Sequence, residues 1–97
     1  MIKIEGLEVF VMAAEQGSLA EAARALGLPR SVVSERLAEL EREAGVRLIQ
    51  RTTRRMALTE DGLAFLPRAR RIVREVGHAA AELAERQGRL AGPLRIS

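Results

Sequence analysis

The sequence predicts a mainly α-helical fold: three short helices, a small β-hairpin and one long C-terminal helix. Segments with apolar residues at helical spacing are each closed by a glycine, at Gly17, Gly27 and Gly45. Two short, partly apolar runs then enclose a polar stretch, and a long helical repeat follows residue 59. A chain of 97 residues with 47% hydrophobic content has room for one compact domain.

The first two helices are predicted at residues 4–16 and 19–26. The apolar face of the first helix is formed by Ile4, Leu7, Phe10, Val11 and Ala14. Gly17 ends it, and Ser18 with Glu21 forms a capping-box pattern. In that pattern the serine hydroxyl accepts a hydrogen bond from a backbone N–H of the first turn, and the glutamate carboxylate accepts one from the backbone N–H of the serine. A second helix is therefore expected to begin directly after Ser18.

A third helix is predicted at residues 30–44, after a turn of about three residues. Gly27 supplies the left-handed conformation that ends a helix, and Pro29 suits the start of the next one. The core stripe of this helix is Val33, Leu37, Leu40 and Ala44. The small residues Ala22 and Ala23 permit close approach, and the short turn is typical of a helix-turn-helix. A plain corner between two structural helices shares the same pattern.

The β-hairpin, or wing, is predicted from residues 47–50 and 56–58 with a polar loop between them. Thr59 then offers an N-cap, and the two acids after it favour a helix start. The helix is expected to continue to residue 91 and to end at Gly92-Pro93. Residues 92–97 resemble the opening of a β-strand, which suggests a fragment cut before a further domain.

The long helix carries an apolar seam with the 4-3-4-3-4 spacing of a coiled coil. Its members are Phe65, Ala69, Ile72, Val76, Ala79, Leu83 and Leu90. The simplest partner for such a seam is the same helix of a second subunit. Packing of the seam within one subunit is the alternative.

Charge is divided unevenly along the chain. Residues 1–46 carry five Lys or Arg against eight acids, whereas residues 47–97 carry eleven Arg against five, so the net charges are −3 and +6. A basic surface of this kind indicates a polyanionic partner. The chain has no cysteine and no apolar run of the ~20 residues that a membrane span needs. We therefore expect a cytoplasmic protein without a membrane partner, metal site or cofactor.

Together these elements resemble the N-terminal DNA-binding domain of LysR-type bacterial transcriptional regulators. The most specific stretches are LEVFVMAAEQGSLAEAARALGL, VVSERLAELEREAGVRL and QRTTRRMALTEDG. The resemblance implies a winged helix-turn-helix in residues 1–58, a dimerisation linker helix in 59–91, and in 92–97 the start of a missing effector-binding domain. It also implies binding to a pseudo-palindromic operator in double-stranded DNA as a homodimer, with tetramers possible in the intact protein. A small-molecule effector is expected only for the missing domain.

The same resemblance places base reading at the start of the third helix. The matching residues are Pro29, Arg30, Ser31, Ser34 and Glu35. A helical wheel agrees, because these positions adjoin an exposed face away from the core stripe. Two of them depart from the family: Pro29 replaces the usual Ser or Thr cap, and Glu35 replaces a common Arg. Glu35 either accepts a hydrogen bond from a cytosine amino group or is a solvated or arginine-paired carboxylate.

The wing is the second expected DNA contact. Its candidate residues are Arg51, Thr52, Thr53, Arg54 and Arg55. Arginines there suit a narrow minor groove or the phosphate backbone, and a solvated loop is the alternative. An enzyme is a poor rival, because the chain has no Walker loop, no cysteine nucleophile and a single histidine. A pure interaction protein that pairs through the long helix is the better rival, and salt-dependent binding to duplex DNA separates the two.

Overall fold

A computed structural model of the chain describes residues 1–51 and 56–96, with side chains described for residues 1–50 and 56–88. The elements in order are α1 (Ile4–Gln16), α2 (Leu19–Leu26), α3 (Arg30–Ala44), β1 (Ile49–Arg51), β2 (Met56–Leu58) and α4 (Glu60–Ile96). The two strands form an antiparallel hairpin. The predicted class is therefore confirmed: three short helices, a wing and one long helix.

The start of α2 shows how the sequence sets a helix boundary. The Ser18 hydroxyl accepts a hydrogen bond from the backbone N–H of Glu21 at 3.0 Å, as the capping pattern predicts. The Glu21 carboxylate does not complete the box, because it pairs with Arg24 one turn later at 3.2 Å. One half of the capping box is thus enough to begin α2 at Leu19.

The core of the molecule surrounds α1, which contacts α2, α3 and α4. The buried apolar residues are Leu7, Val9, Phe10, Val11, Ala13, Ala22, Ala23, Val33, Leu37, Leu40, Leu48, Ile49 and Ala69. Val9 and Ala13 lie outside the predicted stripe of α1, yet both are fully buried. A helix enclosed by three neighbours buries more than one face, and this explains the wider set.

The first part of α4 packs over α1. Phe10 and Phe65, the only aromatic residues of the chain, stack with ring centroids 5.9 Å apart and planes at 24°. An ion pair between Glu15 and Arg70, 3.6 Å long, also joins α1 to α4. Both of its side chains are well exposed, so the aromatic stack and apolar burial hold α4 in place more than this pair does.

The wing begins two residues later than the sequence predicts, at Ile49–Arg51 instead of 47–50. Its paired residues are Ile49 with Leu58, Gln50 with Ala57, and Arg51 with Met56. The carbonyls of Arg47 and Leu48 are taken by Thr59, whose hydroxyl donates to the first at 2.6 Å and whose backbone N–H donates to the second at 3.0 Å. These groups therefore serve the start of α4 and not the strand ladder.

Helix α4 has 37 residues and continues through Ile96. The predicted stop at Gly92-Pro93 and the strand after it are therefore wrong. A proline removes one hydrogen bond from a helix, whereas a strand needs a neighbouring strand to satisfy its backbone at all. The molecule is elongated by this helix, with extents of 58 × 23 × 19 Å. Within the described residues, no helix combines the length and the apolar character needed to cross a membrane.

Candidate nucleic-acid interface

The turn between α2 and α3 fixes how α3 stands on the domain. Gly27 has φ 67°, and the backbone N–H of Leu28 donates to the carbonyl of Ala23 at 3.0 Å. Pro29, with φ −61° and ψ 146°, is the N-cap of α3 and makes no side-chain cap hydrogen bond. Glycine is needed at 27 because a left-handed residue closes α2 there. The turn is thus as short as predicted and presents the first turn of α3 outward.

The predicted base-reading residues lie together at this end of α3. Four of them, Pro29, Arg30, Ser31 and Glu35, are exposed, and Ser34 is half-buried. On the opposite side of the helix, the core residues Val33 and Leu37 have no exposed surface. The sequence-predicted set therefore occupies one continuous outward surface, and none of it is used for the core.

The acidic residues of α3 other than Glu35 all have intramolecular partners. Lys3 donates to Glu39 at 2.9 Å, and this hydrogen bond raises the pKa of Lys3. The N-terminal amino group of Met1 pairs with Glu43, and its hydrogen bond lowers the pKa of that carboxyl. The N-terminal segment thus lies against one side of α3 and neutralises two carboxylates there.

Glu41 was missed by sequence reasoning, and it connects α3 to the wing. It is 8% exposed, and its Oε2 atom accepts from the backbone N–H groups of Leu48 at 2.8 Å and Ile49 at 3.1 Å. Such charge-assisted bonds are stronger than neutral ones. The only sequence signal was its place next to Leu40, at the edge of the core stripe. Glu41 is a positioning residue: it sets the start of β1 relative to the outward surface of α3.

Helix α4 is joined to the same place by Thr59 and Gly62. The Thr59 hydroxyl accepts from the Gly62 backbone N–H at 2.9 Å and also donates to the carbonyl of Arg47. A Cβ atom built at Gly62 would lie 2.1 Å from the carbonyl oxygen of Leu48. Only glycine lets the first turn of α4 approach the wing base this closely.

A basic depression of about 450 Å³ lies between the end of α3 and the base of the wing. It is lined by Ala38, Glu41, Arg42, Gly45, Val46 and Arg47. Both arginines are exposed. The depression continues the outward surface of α3 towards the wing. Among the predicted wing contacts, Thr52, Thr53, Arg54 and Arg55 lie outside the described residues, as does the side chain of Arg51.

The apolar seam of α4 divides in two. Ala69 is fully buried within its own chain, and Phe65 is half-buried against Phe10, so the assignment of Ala69 to a dimer contact is corrected. The reason is that α4 packs over α1 along its first turns. Further along, Ile72, Val76 and Leu83 are 37%, 46% and 66% exposed. Ala79 is exposed as well, whereas the side chain of Leu90 lies outside the described set.

A family profile for bacterial regulatory helix-turn-helix proteins of the lysR family matches residues 4–63, which include all of α1, α2, α3 and the two strands. The chain belongs to the LysR family. An HTH-type transcriptional regulator of Xanthomonas campestris pv. campestris is 43% identical over 89 residues, covering 92% of this chain and 26% of the relative. PtxR of Pseudomonas aeruginosa is 41% identical over 96 residues, covering 99% of this chain and 31% of the relative.

Solved structures of LysR proteins share the fold. Oxidised OxyR of Corynebacterium glutamicum matches with a TM-score of 0.83 and 29% identity, over 86% of this chain and 27% of that one. The crystal structure of a CbnR DBD–DNA complex matches with a TM-score of 0.77 and 32% identity, over 88% of this chain and 98% of that one. The chain spans about a quarter to a third of the length of the two curated relatives above.

Proposed function

We propose that this chain is the DNA-binding and dimerisation module of a LysR-type transcription regulator. It binds an inverted-repeat operator in double-stranded DNA, with α3 in the major groove and the wing on the minor groove or the backbone. The observation that carries the proposal is the outward surface of α3, where Arg30, Ser31 and Ser34 stand free of the core. Guanidinium and hydroxyl groups are donors for guanine edges and phosphates.

The wing and the depression beside it complete the proposed contact. Arg42, in the last turn of α3, and Arg47, just before the wing, line this depression, where a phosphate strand flanking the major groove would pass. The wing sequence itself contributes Arg51, Arg54 and Arg55 to the proposal, with Thr52 and Thr53 as hydroxyl donors. The positions of these five side chains are part of the proposal only. The CbnR complex supports it, because that relative was crystallised with DNA.

A second copy of the chain is the proposed partner for the exposed part of α4. Ile72, Val76, Ala79 and Leu83 lie along one face of the helix and are exposed within the part of the chain that the structure describes. A pair of such faces, joined about a two-fold axis, would present two copies of α3 to two half-sites. Residues 1–58 are then the reading unit and 59–91 the pairing helix, which continues as α4 to Ile96. Leu90 is kept in the proposed interface.

The rest of the proposal follows from the family. The protein acts in the cytoplasm on DNA, without a catalytic step, cofactor or membrane in this part of the chain. A small-molecule effector and tetramer formation are expected of an intact regulator and are not assigned to these residues, including 92–97. The operator sequence and the direction of regulation stay open.

Salt-dependent binding to a labelled pool of random duplexes tests the proposal. We expect log K to fall linearly with log salt between roughly 50 and 200 mM, because counterions are released from the phosphates. Arg30→Gln should weaken binding, and if Arg30 contacts phosphate it should also flatten this slope by roughly one unit. Arg74→Gln is the matched control, since Arg74 is exposed on α4 on the side away from the seam residues Ile72 and Val76, and it should bind like the parent chain.

The same titration separates the rival function. An interaction protein that only pairs through α4 would self-associate in sedimentation equilibrium but show no salt-dependent affinity for duplex DNA. Binding without any salt slope, or equal losses in Arg30→Gln and Arg74→Gln, would contradict the proposed reading surface.

A further inference from the structure

The four carboxylates of α3 differ in what they contact. Glu39 and Glu43 pair with the N-terminal segment, and Glu41 holds the backbone of β1. Glu35 has no hydrogen bond or ion pair with any residue that the structure describes. Intramolecular hydrogen bonds and ion pairs thus account for three of the four carboxylates, and Glu35 has none among the described residues.

Glu35 also occupies an exposed position of the proposed reading surface. It lies one turn after Ser31 and one turn before the small residue Ala38, on the side opposite the buried Val33 and Leu37. A helix laid in the major groove brings this side nearest to the base edges. The small side chain at 38 leaves the Glu35 carboxylate room to extend towards them.

A carboxylate at this position is repelled by the phosphates, so it is favourable only where a base donates a hydrogen bond to it. In the major groove, the donors are the N4 amino group of cytosine and the N6 amino group of adenine. Adenine places its N7 acceptor beside that amino group, and a second carboxylate oxygen would face this lone pair. Cytosine has no acceptor beside its amino group and is therefore the better partner.

Resting on the function proposed above, we propose that Glu35 accepts a hydrogen bond from the N4 amino group of a cytosine and makes this base a requirement at one position of each half-site. Guanine and thymine have no amino group in the major groove, and adenine has the N7 acceptor beside its amino group, which repels the carboxylate. One good base contact of this kind discriminates by about 5- to 150-fold in affinity.

Selection of bound sequences from random duplexes, with the full 97-residue chain and its variants, tests this assignment. The parent chain should select cytosine at one position of each half-site. Glu35→Gln should change that position alone to adenine, because an amide pairs with both N6 and N7. Glu35→Arg should change it to guanine, through O6 and N7. Glu35→Ala should accept all four bases equally.

Glu39→Gln is the matched control, because Glu39 is one turn further along α3 and pairs with Lys3. It should select the same site as the parent chain. Circular dichroism should show unchanged helix content for the position-35 variants, since Glu35 is exposed. Identical motifs from the parent, Glu35→Gln and Glu35→Arg would overturn the inference and leave the proposed function standing. No motif from the parent chain would overturn both.

Discussion

Helix α4 contains two segments with the same apolar spacing but different surroundings. In the rooted segment, residues 60–73, Gly62 and Ala69 are buried, and Phe65 and Val73 pack against the core. In the projecting segment, residues 74–88, every side chain up to Gln87 is exposed. A seam pattern therefore predicts which residues form the apolar face of a helix. It does not predict whether that face packs against the same chain or against a second one.

The largest expected difference between the two segments concerns Ala69 and Ala81. Ala69→Asp places an unpaired carboxylate in the core and should lower the free energy of unfolding by roughly 3–5 kcal/mol. Ala81→Asp, exposed in the projecting segment on the side away from the seam, should cost less than about 1 kcal/mol, mainly through helix propensity. Urea unfolding followed by circular dichroism measures both. Similar losses in the two variants would mean that the rooted segment is not part of the core.

Gly62 and Gly77 give a second, smaller contrast. Gly62→Ala forces a methyl group onto the Leu48 carbonyl and should destabilise the chain by about 1–3 kcal/mol. Gly77 has no neighbour within 4 Å of a built Cβ, so Gly77→Ala should stabilise the chain by about 0.5–1 kcal/mol. Thermal melts of both variants under one buffer condition decide the matter. A stabilising Gly62→Ala would contradict the close approach of α4 to the wing base.

Substitutions of Leu83 and Leu63 test whether the projecting segment forms the dimer contact, and the quantity measured is the dimer dissociation constant. Leu83 is 66% exposed on the seam, and Leu63 is 62% exposed but off the seam. Leu83→Asp should weaken dimer formation by about tenfold or more, because each subunit loses a buried leucine. Leu63→Asp should leave the dimer constant unchanged. Sedimentation equilibrium compares the two, and equal effects would show that pairing does not use this face.

The ends of the three short helices and the exposure of the first turn of α3 were predictable because they depend on local chemistry. Gly17, Gly27 and Gly45 all adopt positive φ and end their helices as expected. Glu41 was not predictable as a positioning residue, because its partners are backbone N–H groups that reach it only once β1 has docked. Ala69 was misassigned for a related reason: its cover comes from α1, more than 50 residues earlier in the chain.

Thr59, Gly62 and the core contacts of residues 60–73 hold α4 against the domain at its N-terminal end. The rest of the helix projects from the domain as an arm. Residues 74–96 give this arm a length of about 35 Å at 1.5 Å per residue. A change of about 5° in its direction moves the far end by roughly 3 Å, close to the rise of one base pair. In the proposed dimer, small changes in how two such arms cross would alter which operator spacings it can span.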